Sequence, residues 1–196
     1  MHAKLKVQQH DALIVIDVQN DLLAGGCLPV PNANEVIPIL NRYILLFTHK
    51  KLPIFVSRDW HPSNHCSFIG YGGRWPPHCV MNTYGAELAP CLKLSTDTVT
   101  ISKGSDPDRE AYSAFQGTNL AILLKQKSVK RVFVGGLPTD YCVYYTVKEA
   151  LAKGYKVRLL SDAVRAFDFH AGDGDRAMED MARLGAAFSE LIQPSP

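Results

Sequence analysis

The stretch Leu13-Ile14-Val15-Ile16-Asp17-Val18 is apolar at every position but its aspartate and rich in β-branched residues. A strand with one wet face alternates apolar and polar side chains. A strand covered on both faces, as in a parallel sheet, shows an unbroken apolar run like this one. Further strands are read at Ile54-Phe55-Val56-Ser57-Arg58-Asp59, at Thr98-Val99-Thr100-Ile101-Ser102-Lys103, at residues 131–136 (RVFVGG) and at Val157-Arg158-Leu159-Leu160, with a last strand at 187–192. Between these runs, residues 32–49, 119–127, 140–153 and 175–184 carry apolar side chains at helical spacing, and Gly154 closes the third of them. Strands alternating with helices imply right-handed crossovers. The expectation is an α/β fold, a parallel sheet with helices on both faces. With no repeat, low-complexity segment or Pro/Ser linker, residues 1–196 read as a single domain.

Composition narrows the function classes. The chain has 196 residues, 46% hydrophobic and 20% charged, with a net charge of +2. Its Lys and Arg residues are scattered, so no electrostatic footprint marks a nucleic acid or an anionic membrane as partner. No apolar run approaches the roughly 20 residues that cross a bilayer. The start Met1-His2-Ala3-Lys4-Leu5-Lys6 lacks the pattern of a secretion signal. Cys27, Cys66, Cys79, Cys91 and Cys142 are odd in number and unevenly spaced, which fits reduced thiols in the cytoplasm.

Two loops interrupt the rhythm. Residues 60–97 are long and irregular and contain His61, His65 and His78; residues 104–116 are polar and similarly irregular. Long loops in a compact domain are uncommon and often functional, and open α/β sheets bind ligands beyond the carboxyl ends of their strands. Asp17, Asp59 and Lys103 all stand at that edge. Asp59 with His61 two residues on can grip a divalent cation, and His78 can complete a three-ligand set with positions left for water. His65 is a candidate fourth ligand or a neighbour of the ligands. Imidazole and carboxylate suit zinc, iron and manganese alike, so the residues do not choose among them.

Cys142 follows the fourth strand near the start of a helix, where the macrodipole and free N–H groups favour a thiolate. An ammonium from Lys103 would lower its pKa, and Asp17 could take its proton and return it to a leaving amine. Asp106 and Glu110 read as solvated loop charges.

The segments Asp17-Val18-Gln19-Asn20-Asp21, Arg58-Asp59-Trp60-His61-Pro62, Trp75-Pro76-Pro77-His78-Cys79, Lys103-Gly104 and Thr139-Asp140-Tyr141-Cys142-Val143 occur in the order found in nicotinamidases (pyrazinamidases). The chain resembles this family of the isochorismatase-like hydrolase superfamily from Leu13 to about Ile192. The resemblance implies a three-layer α/β/α fold around a six-stranded, mostly parallel sheet. It also implies a cysteine amidase that converts nicotinamide to nicotinate and ammonia through a thioester. It makes Asp17, Lys103 and Cys142 catalytic and Asp59, His61 and His78 ligands of one divalent ion, zinc first. Family members differ over a histidine at the place of His65. Trp75 and Tyr112 match positions where the family sets aromatic rings around the substrate, while Leu22 stands where a Phe is common. The implied partner is a small-molecule amide, and a homo-oligomer is compatible with the resemblance. The rival readings are an isochorismatase or N-carbamoyl amidase, or a catalytically silent binding protein.

Pro138 departs from the pattern. Relatives commonly have a cis peptide just before the Thr-Asp-x-Cys segment, with a non-proline residue giving its N–H to the oxyanion. A cis bond costs a proline only about 0.5–1 kcal/mol against about 2.5–4 for other residues, so Leu137–Pro138 is expected to be cis. Proline has no N–H to give, which leaves the Cys142 N–H, with Tyr141 N–H or a water as replacement partner.

Overall fold

β1 (Asp11–Ile16) is buried at all six positions and lies inside a sheet of six parallel strands, in a computed structural model that describes residues 6–191. The others are β2 (Ile54–Asp59), β3 (Val99–Lys103), β4 (Arg131–Gly136), β5 (Lys156–Val164) and β6 (Ala187–Ser189), in spatial order β3-β2-β1-β4-β5-β6. Every pairing is parallel.

The unbroken apolar runs are explained by two cores. Leu13, Val15, Ile54, Val56 and Phe133 point to one face, and Ala12, Ile14, Ile16, Phe55, Val132 and Val134 to the other. That is the period-two alternation of a strand, with both sides dry. Helix α1 (Val36–His49) covers the first face with Leu40, Tyr43, Ile44 and Phe47. The second is covered by α2 (Leu120–Gln126), α3 (Tyr144–Ala152) and α4 (Asp173–Arg183) through Leu120, Leu124, Val147, Ala150 and Met181.

β5 runs four residues beyond the expected apolar segment. Its polar end is satisfied sideways: Tyr43 Oη donates to Asp162 Oδ1 at 2.8 Å, Leu191 N–H to Asp162 Oδ2 at 3.0 Å, and Ser161 Oγ to Glu190 at 2.9 Å. β6 is shorter than the expected 187–192, and Ile192 lies outside the described residues. The helix expected over 140–153 is two pieces. Thr139–Val143 forms a π-helical turn, and α3 follows it; such turns inside helices are frequent at functional sites.

The strand order reverses direction between β1 and β4, and a crevice outside the carboxyl ends at such a switch is where α/β sheets bind ligands. Asp17 follows β1 there with φ 47°, a left-handed conformation that a side chain other than glycine rarely adopts.

Candidate active site

Lys103, the last residue of β3, is 1% exposed, and its ammonium is the centre of the site. Nζ lies 2.9 Å from Asp17 Oδ2 and 2.6 Å from Asp59 Oδ1, donates to the Ala111 carbonyl at 3.1 Å and reaches Cys142 Sγ at 3.4 Å. Three strand ends and the turn after β4 thus meet on one cation. Burial pulls the pKa of Lys103 down, but Asp17 and Asp59 more than offset it and hold it well above the usual range. Burial also works against ionised Asp59, yet Lys103, then His61 and His78, bring that carboxyl down to about 2.

Asp17 differs from Asp59. Burial is the largest influence on it and raises its pKa despite Lys103. Ser57 Oγ donates to Oδ1 at 2.6 Å. Oδ2 has no aligned hydrogen-bond donor among the described residues; Lys103 lies close to it but off the bonding direction. Carboxylate oxygens of Asp17 and Asp59 and the Cys142 sulfur all lie within 4.8 Å of one another. Asp17 is therefore a buried, proton-receptive carboxylate with a free oxygen beside the thiol.

Cys142 departs from the expected low pKa. It is 4% exposed, and burial pushes the thiol well above its ordinary range; Lys103 pulls it down, but Asp17 and Asp59 push it back up. Two carboxylates already share one ammonium, and a thiolate would add a second uncompensated negative charge to a dry site. Burial and the two carboxylates thus favour the thiol, and ionising it requires its proton to be accepted nearby.

Asp59, His61 and His78 bring one ligand atom each to within 4.8 Å of the others, and all three are buried. His61 Nδ1 donates to the Gly104 carbonyl at 2.9 Å and His78 Nδ1 to the Pro76 carbonyl at 2.8 Å. Those bonds fix each ring and leave Nε2 as the free donor atom, the arrangement that orients metal-binding imidazoles. Nε2 of His61 is 3.7 Å from Asp59 Oδ1. Gly104 is required here: its φ is +64°, and a Cβ on it would sit 2.5 Å from the His61 ring. This donor set fits a divalent ion. His65 offers none. Its Nδ1 accepts from Ser67 N–H at 3.2 Å, with Ser67 Oγ at 2.7 Å, and its Nε2 donates to the Arg109 carbonyl at 3.2 Å. Both ring nitrogens are engaged, although the ring lies 4.2 Å from that of His61.

The expectation for Leu137–Pro138 is corrected. No peptide bond among the described residues is cis. The chain turns instead at Gly136, with φ +127° at a place where a Cβ would lie 2.1 Å from the Ile16 carbonyl oxygen. Leu137 N–H then donates to Ile16 at 2.8 Å and Thr139 N–H to Arg165 at 2.8 Å, with Pro138 extended between them. Tyr141 N–H is also unavailable as a replacement oxyanion donor, because it donates to the Pro138 carbonyl at 3.3 Å.

A small pocket opens over these groups, lined by Leu22, Asp59, His61, His78, Pro138 and Cys142 among others. Its upper wall is aromatic. Trp75 stacks on Phe167 at 5.5 Å and 28°, meets Tyr141 edge-on at 5.2 Å, and donates from Nε1 to Tyr112 Oη at 3.2 Å. Leu22, Trp75, Tyr112 and Pro138, singled out from the sequence, all border this space; Tyr141 and Phe167 border it too and were missed. Phe167 follows β5 at the same sheet edge, which was the signal available. Gln19 was also missed. It is fully buried, accepting from Asp59 N–H at 2.8 Å and donating to the Asp59 and Ala86 carbonyls at 2.8 and 2.9 Å, so it fixes the backbone of a candidate ligand. Glu110, read as a solvated charge, stands at the pocket rim.

Comparison with known proteins agrees with this geometry. The nicotinamidase of Escherichia coli (strain K12) is 35% identical over 201 residues, covering 92% of this chain and 94% of that protein. The zinc complex of Pyrococcus horikoshii pyrazinamidase superposes with a TM-score of 0.89 at 47% identity, covering 93% of this chain and 99% of that one. PnC1 of L. infantum in complex with nicotinate superposes with a TM-score of 0.87 at 32% identity, covering 96% of each chain. The pattern of the Isochorismatase domain matches residues 11–193, and the chain therefore belongs to the isochorismatase family of hydrolases.

Proposed function

We propose that this chain is a nicotinamidase, hydrolysing nicotinamide to nicotinate and ammonia as a single-domain cytoplasmic enzyme, with pyrazinamide as a second substrate. The observation that carries the reading is the junction of two sets of groups at one pocket. Asp17, Lys103 and Cys142 meet within 3.4 Å of the Lys103 ammonium, and the Asp59–His61–His78 cluster adjoins them through Asp59. Isochorismatases and N-carbamoyl amidases do not generally need the second set. Among the described residues no helix is long and apolar enough to cross a membrane.

Cys142 is the nucleophile. Its sulfur bonds to the carboxamide carbon as its proton passes to Asp17 Oδ2. Lys103 keeps the ammonium beside both groups and limits the charge that the dry site must carry. Asp17 then returns the proton to the amide nitrogen, the C–N bond breaks, and ammonia leaves a thioester. Asp17 next takes a proton from an attacking water. Collapse breaks the C–S bond, Asp17 passes its proton to the departing sulfur and restores the thiol, and the acid product loses its remaining proton to solvent as nicotinate. The Cys142 N–H is the oxyanion donor that this turn provides. Asp59, His61 and His78 would hold the divalent ion, zinc in the first place because the Pyrococcus structure is a zinc complex. When bound, such an ion supplies Lewis acidity at the pocket floor. Leu22, Trp75, Tyr112 and Pro138 frame the pyridine ring, and His65 holds the loops together without binding the ion.

The test is ammonia release from nicotinamide, pyrazinamide, N-carbamoylsarcosine and benzamide, with and without a chelator. Rapid release from nicotinamide, lost on chelation and restored by zinc, is expected. Preference for the carbamoyl substrate would favour the rival amidase reading, and silence on the whole panel the binding protein.

A further inference from the structure

Asp140 is the one acid of the nucleophile's turn, and it does not border the pocket. Its carboxylate instead reaches across to the loop after β5. Oδ1 accepts from Phe167 N–H at 3.0 Å and Oδ2 from Asp168 N–H at 3.0 Å. A third bond runs parallel to these, from Thr139 N–H to the Arg165 carbonyl at 2.8 Å. The loop's other bonds lie towards its ends, where Arg165 Nη2 donates to Glu35 at 2.7 Å and His170 N–H to Asp173 at 2.9 Å. Asp168 is left-handed with φ 53°, its own carboxylate accepts from Gly174 N–H at 2.7 Å, and Phe169 is 56% exposed. What the loop delivers is Phe167, stacked on Trp75 and edge-on to Tyr141 at 6.0 Å, with Phe169 5.2 Å behind it.

We propose that Asp140 is a positioning residue that ties the Phe167 loop to the turn bearing Cys142 and so builds the aromatic wall that selects a planar aromatic amide. The inference rests on the amidase reading above for its substrate class. Two charge-assisted bonds to successive N–H groups fix both the place and the tilt of the loop backbone. Together with the Thr139–Arg165 bond, they couple the distance between the attacking sulfur and the stacked rings to the Asp140 side chain. They also explain how the pocket grips a ring although Leu22 stands where relatives often carry Phe. Phe167 supplies the missing aromatic surface from the opposite end of the chain.

The experiment is a double-mutant cycle on Asp140→Asn and Phe167→Ala, read as KM and kcat for nicotinamide. Asparagine keeps one acceptor but turns an NH₂ toward a backbone N–H. Each single variant should raise KM about tenfold, the upper end for one aromatic contact, with kcat within about threefold of wild type. The double variant should be no worse than the poorer single, because Asp140 acts through Phe167. Effects that multiply in KM, or a loss of kcat at unchanged KM, would overturn the proposal. A second readout needs no substrate. In a Trp60→Phe background, Trp75 is the one remaining tryptophan, and the near-ultraviolet dichroism band on the long-wavelength side of the tyrosine absorption reports it. Asp140→Asn should change that band as Phe167→Ala does, and an unchanged band refutes the tie. Should Asp140→Asn not fold, Asp140→Glu carries the same measurements, since it keeps both acceptors one methylene further out. A wild-type protein that releases no ammonia from nicotinamide would end the amidase reading, while the dichroism still decides whether Asp140 sets the wall.

Discussion

The floor and the wall of the pocket are built on opposite plans. The floor joins Asp17, Asp59, Lys103 and Cys142 by contacts of 2.6 to 3.4 Å around one ammonium, from side chains at the ends of β1, β2 and β3 and the turn after β4. The wall joins Trp75, Tyr112, Tyr141 and Phe167 by ring contacts of 5.2 to 6.0 Å, and three of the four come from loops. Charge–charge and proton-transfer geometry decays steeply with misplacement, so it is set on a rigid sheet edge. Ring contacts are broad in both distance and angle, and loops suffice for them. Chemistry should therefore fail when the floor is altered, and selectivity when the wall is.

The largest effect is expected at Cys142. Cys142→Ala should lower kcat by a factor on the order of 10⁴ or more, as loss of a covalent nucleophile does. Trp75→Leu should instead raise KM and leave kcat within about tenfold. Ammonia release under saturating and limiting nicotinamide measures both. Comparable kcat for the two variants would erase the division between floor and wall.

The same division decides what could be read from the sequence. The inner strand β1 was legible because burial on both faces leaves an unbroken apolar run, and Asp17, Asp59 and Lys103 were legible because each stands at the carboxyl end of a strand. The histidines of the 60–97 loop were legible as metal-binding chemistry, but their separation was not. Only the hydrogen bonds distinguish His65, with both nitrogens engaged, from His61 and His78, with Nε2 free. Phe167 was missed for another reason: only its place after β5 marked it, its partners Trp75 and Tyr141 are far away in sequence, and no periodicity marks a loop. The thiol pKa was misjudged because the sequence placed Lys103 near Cys142 but said nothing of burial or of two carboxylates sharing that ammonium. Pro138 was misread because the turn could be assigned to the proline or to Gly136, and the left-handed glycine takes it.

Lys103→Met sharpens the comparison through stability. The substitution leaves Asp17 and Asp59 buried without their shared cation, and breaking a buried pair by removing one partner costs about 3–5 kcal/mol. Urea unfolding of chelated protein should show a loss of this size, with one of the carboxylates taking up a proton near neutrality. Stability equal to wild type would mean that the charges at the floor are far better hydrated than their burial indicates.

The smallest effect is expected at the directional bond that joins two rings of the wall. Trp75 is 5% exposed, and its Nε1–H donates to Tyr112 Oη at 3.2 Å. Tyr112→Phe keeps the ring, and with it the 5.5 Å contact to Tyr141 and the stack on Tyr145 at 5.3 Å, but removes the acceptor. A buried donor left unpaired costs about 1–3 kcal/mol. The pocket mouth lies beside this pair, and a water that reaches Nε1 from there recovers part of that. A loss of about 1 kcal/mol in urea unfolding is therefore expected, with KM for nicotinamide raised a few fold and kcat unchanged. Because the rings stay in contact, the wall keeps its shape and loses only a restraint on the tilt of Trp75. A fall in kcat as deep as that of a floor variant would show that Tyr112 Oη reaches the reacting amide, and the wall would then belong to the chemistry as well as to recognition.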